Sequence, residues 1–421
     1  MSKESSAIAV WRRPAFWVAM FLAQAGAFIL FKDMADISQW LVQSSREFTM
    51  SVWYNRHVLA AVSVGLLVAA LIIRGRHRAV CSISLLSLLV FLFAFNFYSG
   101  MINPKLMFRA QQFEAKFVPV NEASDYLRQS LEKARFSKDG YASVDDIEVL
   151  VLETDKGAYA YTDYYLLQPH VVKGGKIDGE EVIMTYCGLT NLGIAYSPVI
   201  GDQKLDLTVM TQLKNNLVLF DKNSGEAIQQ LWGSMERNPD KGRMKEWPTI
   251  RMPFASYRRL YPQGKVFVNE LPSISEHPLL ALWDRMVRHG MMHPAVSWQH
   301  DSPDTPTFPT IRYKDKRLPM KQMIYALNVE DDYVVYTKEF LSQLEGPLNV
   351  EIGNRMVVID YNIEFDAVTA FFNDTQNPVR QVDVFGRTAS GLKLERVNTL
   401  KSNLFWFIFA EFYPHTDVNR V

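Results

Sequence analysis

Leu152–Thr162 reads Leu-Glu-Thr-Asp-Lys-Gly-Ala-Tyr-Ala-Tyr-Thr, and Leu327–Thr337 reads Leu-Asn-Val-Glu-Asp-Asp-Tyr-Val-Val-Tyr-Thr. Laying Leu152 on Leu327 brings Tyr161-Thr162 onto Tyr336-Thr337, Leu166 onto Leu341 and Ile177 onto Ile352. Without a gap, Val182 then meets Val357, Tyr186 meets Tyr361 and Ala195 meets Ala370. Each match alone means little. A constant spacing across a strand–loop–strand–strand pattern is the mark of duplication. Farther on, Phe254-Ala255 with Tyr261-Pro262 resembles Phe409-Ala410 with Tyr413-Pro414 after small indels. The pattern around these residues is short apolar runs with turn residues between them, such as Val182–Cys187 after Asp178-Gly179. The expected fold is α+β, mainly β, with two related β-rich halves.

The halves set the expected divisions. Residues 101–270 are a connector plus the first half, with a helix around Asn121–Phe136. Residues 271–310 are a helical and Pro-rich joint, and 311–421 are the second half. Residues 1–100 differ from all of this, because they read as a membrane region.

Three apolar stretches, Ala15–Phe31, Val58–Ile73 and Val80–Tyr98, contain no Asp, Glu, Lys or Arg. Each approaches the roughly 20 residues that cross a bilayer core, so three N-terminal transmembrane helices are expected. Arg12 and Arg13 precede the first, and Arg74, Arg76 and Arg78 lie between the second and third. The positive-inside rule makes that side cytoplasmic and puts residues 101–421 outside the cytoplasm, at a bacterial inner (plasma) membrane. A signal peptide is the other reading of the first stretch, but no small-x-small cleavage site follows it.

Composition excludes several classes. There are 45 basic and 45 acidic residues in 421, so formal net charge is zero, which argues against a nucleic-acid partner. Two cysteines exclude a disulfide scaffold and a multi-Cys zinc module. With Cys81 in the third apolar stretch, Cys187 stands alone in the exported part and has no internal partner. Gly-x-Ser-x-Gly, His-Glu-x-x-His, Walker and Gly-x-Gly-x-x-Gly motifs are all missing.

Asp178-Gly179, then Val182–Cys187 ending Thr-Tyr-Cys, then Ala195-Tyr196 resembles the signature of an uncharacterised bacterial family, domain of unknown function 3179. Asn215-Asn216-Leu217-Val218, Phe220-Asp221, Gln229-Gln230 and Gly233 resemble its downstream block, and Trp247 through Tyr261-Pro262 its closing element. The resemblance covers roughly Ile147 to Val418 and implies a secreted or membrane-anchored protein, with no biochemical function attached. The family's Cys-Pro-x-Cys is here Cys187-Gly188-Leu189-Thr190, and its Ser-x-Trp is Glu226-Ala227-Ile228. Without a resolving thiol, disulfide exchange by this chain alone is not expected.

Two constellations carry candidate chemistry. His170 and Cys187, with Met184 nearby in sequence, offer soft ligands suited to copper. Met184 and Cys187 fall on opposite faces of a strand, which weakens the thioether as a ligand. Read without a metal, Cys187 is a small core hydrophobe and His170 orders a loop. The second constellation is His289, Met291, Met292 and His293, where Gly290 breaks the helical spacing the two histidines need. Its plainer reading is a helix C-terminus with His289 near the dipole. The expected function is a membrane-anchored extracytoplasmic binding or accessory protein, in contact with the lipid bilayer and a membrane protein partner, holding copper near Cys187. An exported enzyme using a Cys187–His170 pair, and a structural or partner-docking protein, are the alternatives.

Overall fold

The computed structural model describes residues 3–34, 44–74, 116–133, 141–167, 169–268, 282, 293–302, 305–311, 315–375 and 377–421. The chain separates into two compact units, Met1–Leu106 and Met107–Val421.

In the first unit, the helices Lys3–Met34 and Arg46–Arg74 pack against each other. Ala19, Ala23 and Ala27 recur one helical turn apart and are buried with Leu67 and Ala70. Gly26 lies so close to Ser63 that a Cβ there would come within 2.0 Å of its Oγ. Phe21, Val58 and Ile72 point outward instead. Small residues thus sit at the contact between the two helices, and large apolar ones face away from it.

The expected three transmembrane helices are corrected here. Among the described residues one helix, Arg46–Ile73, is long and apolar enough to cross a membrane. The apolar part of the first helix is Pro14–Leu30, a shorter segment. Arg12 and Arg13 flank it at one end, and Lys32 and Asp33 at the other. The third stretch, Val80–Tyr98, lies outside the described residues. The extracytoplasmic placement of residues 101–421 relied on that third crossing.

The second unit consists mainly of five small sheets, and this replaces the expected pair of β-rich halves. Sheet I orders Lys116–Pro119, Lys265–Val268, Gly157–Thr162, Glu148–Thr154 and Ile250–Pro253. Sheet II orders Glu246–Trp247, Leu192–Tyr196, Glu180–Cys187 and Val171–Ile177, and sheet III orders Ser234–Met235, Ala227–Gln229, Asn216–Asp221 and Leu207–Leu213. Sheet IV orders Lys401–Phe405, Met323–Val329, Asp332–Thr337 and Asp417–Val418. Sheet V orders Leu348–Ile352, Arg355–Asn362, Ala367–Phe372 and Glu395–Arg396.

The sheets meet in a closed sequence, like the blades of a propeller. Gly193 of sheet II is packed against Leu150 of sheet I. Gln230, just past a sheet III strand, bonds Thr185 of sheet II at 3.1 Å. From sheet III to sheet IV, Tyr413 bonds the carbonyl of Leu231 at 3.1 Å. Sheets IV and V share one core that includes Leu327, Tyr336, Val357 and Ile359. Arg396 of sheet V closes the ring on Glu153 of sheet I at 3.0 Å. Strands covered on both faces bury every residue, which is why Val149-Leu150-Val151-Leu152 is a continuous apolar run rather than an alternating one.

Sheets I and II run in the same order as sheets IV and V, at the spacing from Thr162 to Thr337. Both threonines cap a short helix, accepting from Tyr165 N at 3.4 Å and from Phe340 N at 3.2 Å. Sheet III stands outside this pattern, so five sheets arise as two, one inserted, and two more. The later helices Phe254–Leu260 and Trp406–Phe412 end on Tyr261 and Tyr413 with nearly the same backbone angles. That register sets Phe254 on Trp406, not on Phe409 as the sequence match suggested.

Candidate functional site

A polar cluster forms where sheets I, II and IV meet. Its centre is Arg251, a charged residue within the buried strand Ile250–Pro253, with only 1% of its side chain accessible. One terminal nitrogen reaches both oxygens of Asp163, at 3.1 and 3.3 Å, and Glu148 Oε2 at 3.4 Å. The other donates to the carbonyl of Asn191 at 3.1 Å. Asp163 is placed by the Thr162 cap, and Glu148 is the first residue of its strand. Asn403 donates to Glu148 Oε1 at 2.8 Å, and Asn191 donates to the carbonyl of Asn403 at 2.6 Å. Asn191 and Asn403 both have positive φ, a conformation asparagine tolerates better than most residues.

Burial works against the charge on Arg251, but Asp163 and then Glu148 hold the guanidinium firmly protonated. Burial pushes the Glu148 carboxyl up; Arg251 pulls it down, while Asp163 and Asp366 add to the rise. Glu148 bonds the buried Arg251, yet 33% of its own side-chain surface remains accessible. Tyr141 is similar: 39% exposed, with its hydroxyl pKa raised by burial and then by Glu148 and Asp163. Both side chains therefore present accessible polar surface beside the buried Arg251. His300 approaches the same region, its ring 5.1 Å from Phe405 and its Nε2 3.4 Å from the carbonyl of Gly188. Burial lowers its pKa to about 4, so the ring is neutral at pH 7.

The matching positions of sheets IV and V carry different charges. Tyr186 Oη lies 3.5 Å from Asn191 Oδ1, and Tyr361 Oη lies 2.8 Å from Asp366 Oδ1. Where the first pattern has Asp163, the second has Lys338, which pairs with Asp366. The two-carboxylate arrangement around a buried arginine therefore occurs on one side of the repeat.

The residues expected from sequence sit elsewhere. His170 adopts φ 66°, donates its N–H to the Leu166 carbonyl and accepts from Tyr186 N, each at 2.9 Å. Burial lowers its pKa to about 4. Cys187 is buried, with Sγ 3.9 Å from the carbonyl of Asn215. Burial pushes its thiol up despite opposing hydrogen bonds from Thr190, Leu189 and Leu217. A thiol held protonated is a poor nucleophile and a poor soft-metal ligand. Val296 covers Gly188, Gln299 donates to the carbonyl of Leu189 at 2.5 Å, and Asn215 holds Phe308 through both its amide atoms. Among the described residues no group of three or more His, Cys, Asp or Glu side chains is placed to hold a metal ion. His289, Met291 and Met292 lie outside the described residues, and His293 opens the helix His293–Asp301 with its side chain outside them.

Sequence reasoning passed over Arg251, Glu148 and Asp163. The one available signal was an isolated charge in the apolar run Ile250-Arg251-Met252, since a charge in a buried strand must be paired. No curated protein and no solved structure matches the chain. Residues 117–416 match a protein family of unknown function, and the chain belongs to that family, DUF3179.

Proposed function

We propose that this is a membrane-held binding or accessory protein that takes a small polar molecule into an opening beside Glu148 and Tyr141. The observation carrying this reading is Glu148 itself, held by Arg251 and Asn403 yet with 33% of its side chain accessible. A carboxyl that served only to neutralise Arg251 would gain nothing from that exposure. Arg251, Asp163, Asn191 and Asn403 fix its orientation, so the accessible carboxyl edge is preorganised for a ligand. Carboxyl, phenol and amide groups together suit a neutral molecule with several hydroxyls.

The proposed attachment to a lipid bilayer would run through Arg46–Ile73, a helix long and apolar enough to cross one. The outward Phe21, Val58 and Ile72 support it, since a water-facing helix pair would turn them inward. The membrane protein partner and the copper expected at His170 and Cys187 are readings separate from this site.

The test is thermal unfolding of the full chain in detergent with glucose, N-acetylglucosamine and myo-inositol as probes. A saturable rise in Tm with at least one of them, abolished by Glu148→Gln, is the expected result. No rise with any probe, or an equal rise in Glu148→Gln, contradicts the reading.

A further inference from the structure

Away from that opening, two polar side chains face each other across sheet V and, among the described residues, lack a partner. Asp360 and Thr369 are paired in the register of the strands Arg355–Asn362 and Ala367–Phe372. Side chains directly opposite in an antiparallel pair have Cβ atoms roughly 5 Å apart. Thr369 is fully buried, and its hydroxyl has no hydrogen-bond partner. Asp360 is partly buried and, among the described residues, makes neither a hydrogen bond nor an ion pair. Leaving a buried hydroxyl unmet costs about 1–3 kcal/mol.

The matching place in sheet II shows what such a position accommodates. At the spacing from Thr162 to Thr337, Asp360 corresponds to Thr185 and Thr369 to Ile194, which are also paired in register. There Thr185 donates to the carbonyl of Ile194 at 2.9 Å and receives the amide Nε2–H of Gln230 at 3.1 Å. Gln230 comes from the connection after a sheet III strand, and the repeat around sheet V contains no such inserted sheet. An N–H donor therefore fills the first position from within the chain. Among the described residues no such donor reaches this place in sheet V, where a carboxylate has replaced the hydroxyl that received it.

We propose that Asp360 and Thr369 form a binding site for the ammonium group of a primary alkylamine. The carboxylate, at the position of Thr185, supplies the charge and one acceptor, and the Thr369 oxygen supplies a second acceptor. Val358 and Phe371, on the same face and buried with Val382 and Leu394, give the alkyl chain an apolar flank. Burial, with no cation beside it, raises the Asp360 carboxyl to about 6. That is the condition of an acid awaiting a counter-charge.

The experiment is calorimetric titration of the full chain in detergent at pH 7.5 with propylamine, with 1-propanol and potassium chloride as controls. Saturable propylamine binding is expected, at least tenfold weaker in Asp360→Asn and weaker in Thr369→Val, with no binding of propanol. Glu148→Gln should leave it unchanged, which separates this site from the opening. Absence of propylamine binding, equal binding in Asp360→Asn, or equal displacement by potassium would overturn the proposal. Asp360→Asn removes a buried charge, so a folding failure is not its expected effect.

Discussion

Arg251 and Asn403 occupy equivalent positions in the strands that lead into Phe254–Leu260 and Trp406–Phe412, and both bond the same carboxylate, Glu148. Arg251 meets Oε2 at 3.4 Å and Asn403 meets Oε1 at 2.8 Å. One carboxyl thus joins the first pair of sheets to the second. Its hydrogen-bonding capacity is shared between the repeats, while its remaining surface stays open.

Removing Arg251 leaves Asp163 and Glu148 without their cation. Arg251→Met should destabilise the β unit by about 3–5 kcal/mol, the usual cost of breaking a buried pair from one side. Asn403→Ala removes one hydrogen bond to a charged group and should cost about 1–3 kcal/mol. Thermal unfolding of the two variants in the same detergent checks the order.

Asp360 should titrate abnormally. Its folded pKa of about 6 exceeds the ordinary 3.8, so the folded state favours the protonated acid. Stability from this group is full below the ordinary value and is lost as pH rises through 6. Asp360→Asn should therefore stabilise the protein at pH 7.5 by about 1 kcal/mol after allowance for solvent screening, and scarcely at pH 4. Unfolding midpoints at the two pH values decide it.

Cys187 should be inert in the folded protein. Its sulfur is buried and its thiol pKa raised, so iodoacetamide at pH 7.5 should modify it far more slowly than in the unfolded chain. Peptide-resolved mass spectrometry distinguishes it from Cys81. Labelling at the unfolded rate would show that the covering helix His293–Asp301 does not seal it.

The contact between Gly26 and Ser63 can be tested covalently. With Cys81 and Cys187 changed to Ser, the double variant Gly26→Cys/Ser63→Cys should cross-link readily on mild oxidation, because the helices meet there. Gly65 has no neighbour within 4 Å in this helix pair, so Gly26→Cys/Gly65→Cys should not cross-link within the chain.

Some of the architecture was legible because local chemistry repeats. Tyr161-Thr162 and Tyr336-Thr337 align in sequence because the same threonine cap starts a short helix in both places. The aromatic helices were misaligned by a few residues, since Phe254, Trp406 and Phe409 are interchangeable as core aromatics and only backbone angles separate them. Sheet III escaped the two-half reading because an inserted sheet leaves the spacing within sheets I and II intact. Hydropathy suggested a first span where Arg13 and Lys32 bound only the shorter apolar segment Pro14–Leu30. The polar cluster was invisible because Glu148, Asp163, Asn191, Arg251 and Asn403 are brought together by sheet closure, which no local pattern encodes. Cys187 and His170 attracted attention by residue type, yet the structure places the thiol in the wall of the fold.

The most direct test asks whether solvent and small molecules reach Glu148. A water-soluble carbodiimide with glycine ethyl ester, applied to the folded full chain and read by peptide mass spectrometry, reports carboxyl access. The account predicts that Glu148 is modified while the fully buried Asp221 is spared. It also predicts that a probe raising the Tm protects Glu148. Modification of neither residue in the native state would mean that no opening reaches the Arg251 cluster, contradicting the proposed binding function.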